Sequence, residues 1–464
     1  MVRVLATTFA LVALSATTVT GQNQPPRTTW TFAAVGDVIM NRLIMQYDNE
    51  SDPAFQQLVR IIREADVSFM NLEQSVFDLA SFEGWPAAET GGSYELASPA
   101  TLRELADMGF DLLNRANNHT TDWGVEGMRA TNGLLDAMGL VHAGTGENLG
   151  LASRPGYLET RAGRIALIGM ASTHTSLSRA GSQGVAVRGR PGVNPLRLNT
   201  MHYGSPQTMA ELRRVATQLS VRQVDPDGGL SVFGTIVHAA ARDTTIVTLN
   251  ERDRRRVLHE VRNAASLSDF VVATSHTHEP SNHSMVPPDW LVRFAREAVD
   301  EGAALFVGHG PHQLRGVEIH NGRPVFYSLG NFIFQNETID PMPMDETEIY
   351  GLPFDALASE VYDARFQVDS AGNPTWGFPT ESRFYESVVA VVHFEGDEVT
   401  EMRFYPVELG WQEPRSRRGT PRLADDTTGR KIVERLAELS RPFGVVISWE
   451  KDPNSSRGIG VWRR

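Results

Sequence analysis

Cysteine is missing from all 464 residues, which excludes disulfide staples, thiolate metal sites, thiol nucleophiles and lipid-acylated cysteine. Basic residues are in deficit as well. Forty-three Lys and Arg face 56 Asp and Glu, a formal charge of −13, so bulk charge does not draw the chain to nucleic acid or to an anionic membrane. Beyond the N-terminus no apolar run approaches the ~20 residues of a bilayer span. What remains, 41% hydrophobic and 21% charged, is the composition of an ordinary globular protein.

The N-terminus has the form of an export signal. A cationic start at residues 1–3 leads into a small-residue apolar run over 4–16, followed by small residues up to 21. Residues 1–21 read as a signal peptide and 22–29 as a polar linker, with an uncleaved N-terminal anchor as the alternative. Both place the protein outside the cytoplasm, in the periplasm or the extracellular space.

From residue 30 the apolar pattern alternates between strand and helix. Strand runs at 30–35, 67–72, 111–113, 164–170, 270–274 and 303–307 are separated by helical spacings at 53–65, 102–108, 124–138, 253–267 and 289–299. Such alternation predicts a largely parallel sheet covered by helices. Segments 316–320 and 324–329, joined through Asn321-Gly322, predict a hairpin with a type I′ turn, so the sheets are mixed. Residues 188–248 break the rhythm and read as an insertion, and 335–374 is acidic and loop-like. Strands at 387–394 and 399–404 and a closing helix at 429–439 complete a domain spanning 30–445, with 446–464 left as a C-terminal tail.

The chemistry collects where strands end. In parallel sheets ligands bind beyond the carboxyl ends of the strands. Here those ends carry Asp37, then Asn71 and Glu73, then Asn117, Asn118 and His119, then His276 and Glu279, then His309 and His312. Taken singly, Asp37 could cap a helix and His309 could be a satisfied core histidine. Five coincident ends favour a site built of carboxylate, carboxamide and imidazole, the donor set that holds Mn, Fe or Zn without thiolates. A hydrolytic pair of such ions needs a carboxylate able to serve both and ligands on several rigid elements.

The strings "TFAAVGDVIMNR", "NLEQSV", "ANNHTTDWGVEG", "VHAGTG" and "GHGPHQLRGVEIHNGRPVFYSLGNFIF" resemble the poly-gamma-glutamate capsule biosynthesis (CapA) family, whose core is similar to the calcineurin-like metallophosphoesterases. The resemblance implies a four-layer α/β/β/α sandwich with mixed sheets and one or two divalent metal ions at one end. It places Asp37 at the first metal-binding aspartate, Glu73 at the bridging acid, Asn118 at the metal-binding asparagine, and His276, His309 and His312 at the later ligand histidines. His119 falls at the catalytic histidine. Arg42, Asn71, Asn117 and Glu279 are candidates for substrate binding. Ile39 occupies a position where metallophosphoesterases have a ligand histidine, and His278 either replaces a ligand or is a displaced surface residue.

Three functions fit. The chain handles an anionic capsule polymer such as poly-gamma-glutamate during synthesis, processing or export, with membrane-bound synthesis components as partners. Alternatively it is an active hydrolase of phosphoesters or amides in the cell envelope, or a scaffold with a vestigial site.

Overall fold

The computed structural model describes residues 29–45, 52–221 and 229–464. The expected signal peptide lies outside the described residues, and so does the linker apart from Thr29, which already belongs to the first strand, Thr29–Ile39. Two large sheets face each other. The first runs Ser448–Lys451, Gly458–Arg463, Glu398–Glu408, Glu386–Glu395, Thr29–Ile39, Val67–Leu72, Leu112–Asn114 and Val141–Ala143, with Asn331–Phe334 added beside Thr29–Ile39. The second runs Val317–His320, Arg323–Phe326, Leu305–His309, Phe270–His276, Arg164–Ala171 and Gly156–Glu159. The first is parallel from Thr29–Ile39 to its Val141–Ala143 edge and antiparallel on the other side, and the second is parallel at its centre and antiparallel at both edges, so the sheets are mixed as expected.

Alternation along single strands shows the layers directly. Phe32 and Ala34 point into the core between the sheets, while Ala33 and Val35 point out to Phe55, Leu58 and Ile62 of helix Pro53–Glu64. In the second sheet Ile165 and Leu167 point inward, and Ala166, Ile168 and Met170 meet helices Glu251–Ala265 and Asp289–Asp300. With one face of each sheet against the other sheet and its opposite face against helices, the order is helix, sheet, sheet, helix. Helix Asp426–Ser440 sends Ile432, Val433 and Leu436 into the inter-sheet core. The hairpin turn is also as expected, with both Asn321 and Gly322 in the left-handed region at φ 49° and 77°.

Two expectations are corrected. Residues 446–464 are no tail: Gly458–Arg463 pairs antiparallel with Glu398–Glu408, and Ser448–Lys451 extends the edge. Ile459 and Val461 alternate into the core, which is what fixes this segment to the sheet. The stretch 335–374 is not merely loop. It contains helices Met344–Ile349 and Ala358–Arg365, anchored because Tyr362 and Phe366 pack with Ile339, Phe77 and Trp123 in a small separate core. Between 198 and 249 the chain builds its own four-stranded sheet, backed by helix Pro206–Gln218 through Met209 and Ala216.

Candidate metal centre

Register brings the polar strand ends into line. In the first sheet Asn114 pairs with Asn71, Asn71 with Asp37, and Asp37 with Asn331. In the second, His276 and His309 are paired and each is the last residue of its strand. The row is wired by amides: Asn114 Nδ2 and Asn117 Nδ2 both donate to Asn71 Oδ1, at 2.8 and 3.2 Å. With its oxygen occupied, Asn71 turns Nδ2 toward Asp37 Oδ1 at 2.8 Å and Glu73 Oε2 at 3.3 Å.

Above this row stand two groups of three ligands, Asp37 with His276 and His309, and Glu73 with His278 and His312; within each, the ligand atoms lie within 4.8 Å of one another. Glu73 Oε1 also lies 3.4 Å from His276 Nε2, so the acid reaches toward both groups. The histidines are held from behind. Thr274 Oγ1 is 2.8 Å from His309 Nε2, leaving Nδ1 toward Asp37, and Asn331 Oδ1 is 2.9 Å from His312 Nδ1, leaving Nε2 toward Glu73. Outer partners of this kind fix ring orientation in metal sites. The turn carrying His309 to His312 is tight: Gly310 has φ 111° and His312 φ 58°, and the Gly310 amide donates to Asp37 Oδ2 at 3.0 Å.

The donor set fits a cation. Burial holds the imidazoles of His276 and His278 well below their ordinary proton affinity and that of His309 down to about 3, so they are neutral and offer lone pairs. Imidazole nitrogens face one another across 3.0 Å between His276 and His309 and 2.9 Å between His276 and His278. Glu73 is pushed well above the ordinary carboxyl range, by burial first and by Asp37 second. Its Oε1 is buried without a hydrogen-bond partner. Two fully buried acids beside four imidazoles, three of them held neutral by burial, are an arrangement that positive charge stabilises.

Beside the triads lies a histidine–aspartate pair. His119 Nδ1 is 2.6 Å from Asp122 Oδ2, and Asp122 is itself fixed by the amides of Gly91 and Glu95. Burial opposes protonation of His119, but Asp122 and then Glu95 outweigh it and raise its proton affinity. That combination suits a group that carries a proton near neutral pH.

The family model for bacterial capsule synthesis proteins matches residues 31–336, most of the described core and every histidine of the two triads. The chain belongs to this family. Two uncharacterized proteins of Sinorhizobium fredii are each 40% identical to it over 437 residues, covering 91% of both chains. The PGA biosynthesis protein CapA of Bacillus subtilis is 27% identical over 304 residues, 65% of this chain and 62% of that one. The capsule biosynthesis protein CapA of Bacillus anthracis is 26% identical over 306 residues, 66% and 59% respectively.

In this capsule synthesis family member the expected residues divide. Asp37, Glu73, His276, His309 and His312 come together, and His278 joins them as a sixth ligand candidate. Ile39 is buried in the apolar core on the helix side of its sheet. Asn118 donates Nδ2 to the Gly91 carbonyl at 2.9 Å and keeps Oδ1 buried without a partner, the atom through which a carboxamide binds a cation. Asn71 and Asn117 are braces of the ligand row. The Arg42 guanidinium reaches Thr420 Oγ1 at 3.2 Å, tying two loops together. Glu279 accepts from Ser172 Oγ at 2.7 Å behind the His276–His278 segment. Sequence reasoning missed Asn331, although its place opposite Asp37 in a parallel pair was a usable signal. It also passed over Asp122, which precedes the Trp123 cap position of Gly124–Met138 and serves His119.

Proposed function

We propose that this protein acts in the synthesis, processing or export of an anionic envelope polymer, such as poly-gamma-glutamate, through a two-metal site at the strand ends. The observation that carries this reading is the pair of adjoining buried triads, Asp37/His276/His309 and Glu73/His278/His312, with the His119–Asp122 pair beside them. Family membership and the biosynthetic roles for which the two Bacillus relatives are named support the polymer. The N-terminal sequence supports export or N-terminal anchoring, which would bring the chain to membrane-bound synthesis components. Among the described residues no helix is long and apolar enough to cross a membrane.

Divalent ions held by the triads, Mn, Fe or Zn by their oxygen and nitrogen donors, would supply charge that draws in an oxyanion and polarises it. The two carboxylates offset only half the charge of two such ions, so the centre attracts anions within an acidic protein. The chain does the rest. Asn71 and the Gly310 amide hold the carboxylates, Thr274 and Asn331 hold the imidazoles, and Asp122 occupies His119 Nδ1 so that Nε2 is the nitrogen able to move a proton. That oriented His119 favours a second reading, hydrolysis of an envelope phosphoester or amide, which the same site serves.

The test is metal analysis of the full-length protein followed by incubation with γ-linked glutamate polymer and with phosphoesters. Chain shortening or phosphate release that disappears on chelation, and returns with metal, is expected. Full metal occupancy without binding or turnover of either class would refute the reading.

A further inference from the structure

A cavity of about 600 Å3 opens beside the triads, with Asn282, His283, Arg365, Trp376, Phe378 and Glu381 among its walls. Three contacts join it to the candidate centre. Phe378 stands edge-on to His312, ring centroids 5.1 Å apart. The Asn282 side chain approaches the His278 imidazole and keeps a buried Oδ1 without a hydrogen-bond partner. Arg365, the last residue of its helix, makes its charge felt at His119, His312 and Glu95.

Arg365 lies over the Phe366 ring, 5.4 Å from its centroid, and holds no carboxylate. Its Nη1 is buried without a hydrogen-bond partner, and among the described residues no carboxylate lies within ion-pair distance of it. The arginines around it are taken: Arg415 by Asp363 at 2.6 Å, Arg418 by Glu337 at 2.9 Å, and Arg383 by Glu381 at 2.7 Å. Glu381, the acid on the cavity wall, is thereby neutralised. A second cavity lies behind His276, but its Arg197 is clamped by both oxygens of Asp253 and Glu279 adds a carboxylate to its lining. A buried guanidinium nitrogen without a partner is costly unless a ligand satisfies it, and the group's planar fork suits oxyanions.

We propose that this cavity is the substrate pocket of the metal centre and that Arg365 is a specificity-determining residue, binding a carboxylate or phosphoryl group that the substrate carries beside the reacting bond. Phe366, Trp376 and Phe378 line the same cavity and offer apolar surface to the carbon stem of that group. The inference deepens the function proposed above and rests on its anionic substrate.

The test uses the full-length, metal-loaded protein and titration calorimetry with three probes: a γ-linked glutamate oligomer, its neutral side-chain amide, and inorganic phosphate. Arg365→Gln should weaken the anion that the wild type binds by about 10- to 100-fold, with metal content unchanged. Arg365→Lys should lose less, keeping the charge but not the fork. Arg179→Gln, in the second cavity, should leave affinity as it was. Whether the oligomer or phosphate shows the dependence on Arg365 identifies the anion. Unchanged affinity in Arg365→Gln, equal binding of the neutral amide, or loss of metal in the variant would each overturn the inference alone. A wild-type protein that binds neither anion overturns it together with the proposed function. If Arg365→Gln does not fold, Arg365→Lys carries the comparison, with a loss of several-fold expected.

Discussion

Replacing Glu73 by Gln keeps the side-chain volume and removes one buried charge, and its effect on stability should change sign with metal. In the metal-free protein Asp37 and Glu73 are both fully buried, and burial followed by Asp37 holds the Glu73 carboxyl well above its ordinary value of 4.5. A carboxyl raised in the folded state contributes stability that is present below its unfolded pKa and is lost as pH rises through the folded one. At pH 7 the metal-free wild type carries that penalty and Glu73→Gln does not. With metal the order reverses. An ion present at 100 times its Kd adds about 2.7 kcal/mol, so two add about 5 kcal/mol. For roughly 420 described residues, at about 2.1 cal/mol/K each, the unfolding entropy is about 0.9 kcal/mol/K, so two ions raise Tm by about 6 °C and one by about 3 °C. Scanning calorimetry after chelation, and again after adding Mn²⁺ or Zn²⁺ with metal counted, measures both states. Metal-free Glu73→Gln should melt above the wild type, and metal-loaded Glu73→Gln below it, with half the metal-induced rise or less. An equal rise in both proteins would remove Glu73 from the ligand set, and a metal-free variant melting below the wild type would refute the strain argument.

Asp122→Asn should lower turnover by ~10²-fold or more while metal stays bound, and because Asp122 helps raise the proton affinity of His119, the alkaline limb of the rate profile should move to lower pH; steady-state kinetics across pH checks it. Gly310→Ala should cost about 1–3 kcal/mol and reduce metal content, since a Cβ at this φ of 111° would sit 2.8 Å from the Thr277 nitrogen and 3.2 Å from the His278 ring; melting and metal counts read both effects. Away from the centre, Glu386 joins its strand to Arg435 at 2.6 Å and Lys431 at 2.9 Å, and although burial opposes it, Arg435 and Lys431 hold its carboxyl below the ordinary range. Glu386→Gln should therefore lose about 2 kcal/mol at pH 7. That difference should vanish as pH falls through the depressed pKa, which chemical denaturation at several pH values would follow.

The parts of this protein legible in its sequence are those where backbone geometry alone sets direction. Asp37, His276 and His309 could be placed because a buried run of apolar residues announces a strand, and the polar residues that close the run emerge toward its carboxyl end. Periods of two and 3.6 pointed to a parallel sheet covered by helices, whereas the four-layer order was an implication of the family resemblance. Strands 448–451 and 458–463 were read as a tail because 458–463 finds its partner, Glu398–Glu408, some 60 residues earlier, 448–451 is added only onto 458–463, and short strands owe their existence to such partners. His278 was ambiguous because it follows the end of its strand, where the rule that residues two apart share a face no longer holds. Asp122 was not legible because a carboxylate three residues after a histidine and just before a helix satisfies the capping pattern and the histidine pair equally well, and only the 2.6 Å contact separates them. Arg365 had no local signal at all: its meaning depends on which neighbouring acids are already claimed by Arg383, Arg415 and Arg418. A substrate-binding cation is in this sense a property of the charge left over after every other pair has formed, and that remainder exists only once the chain is folded.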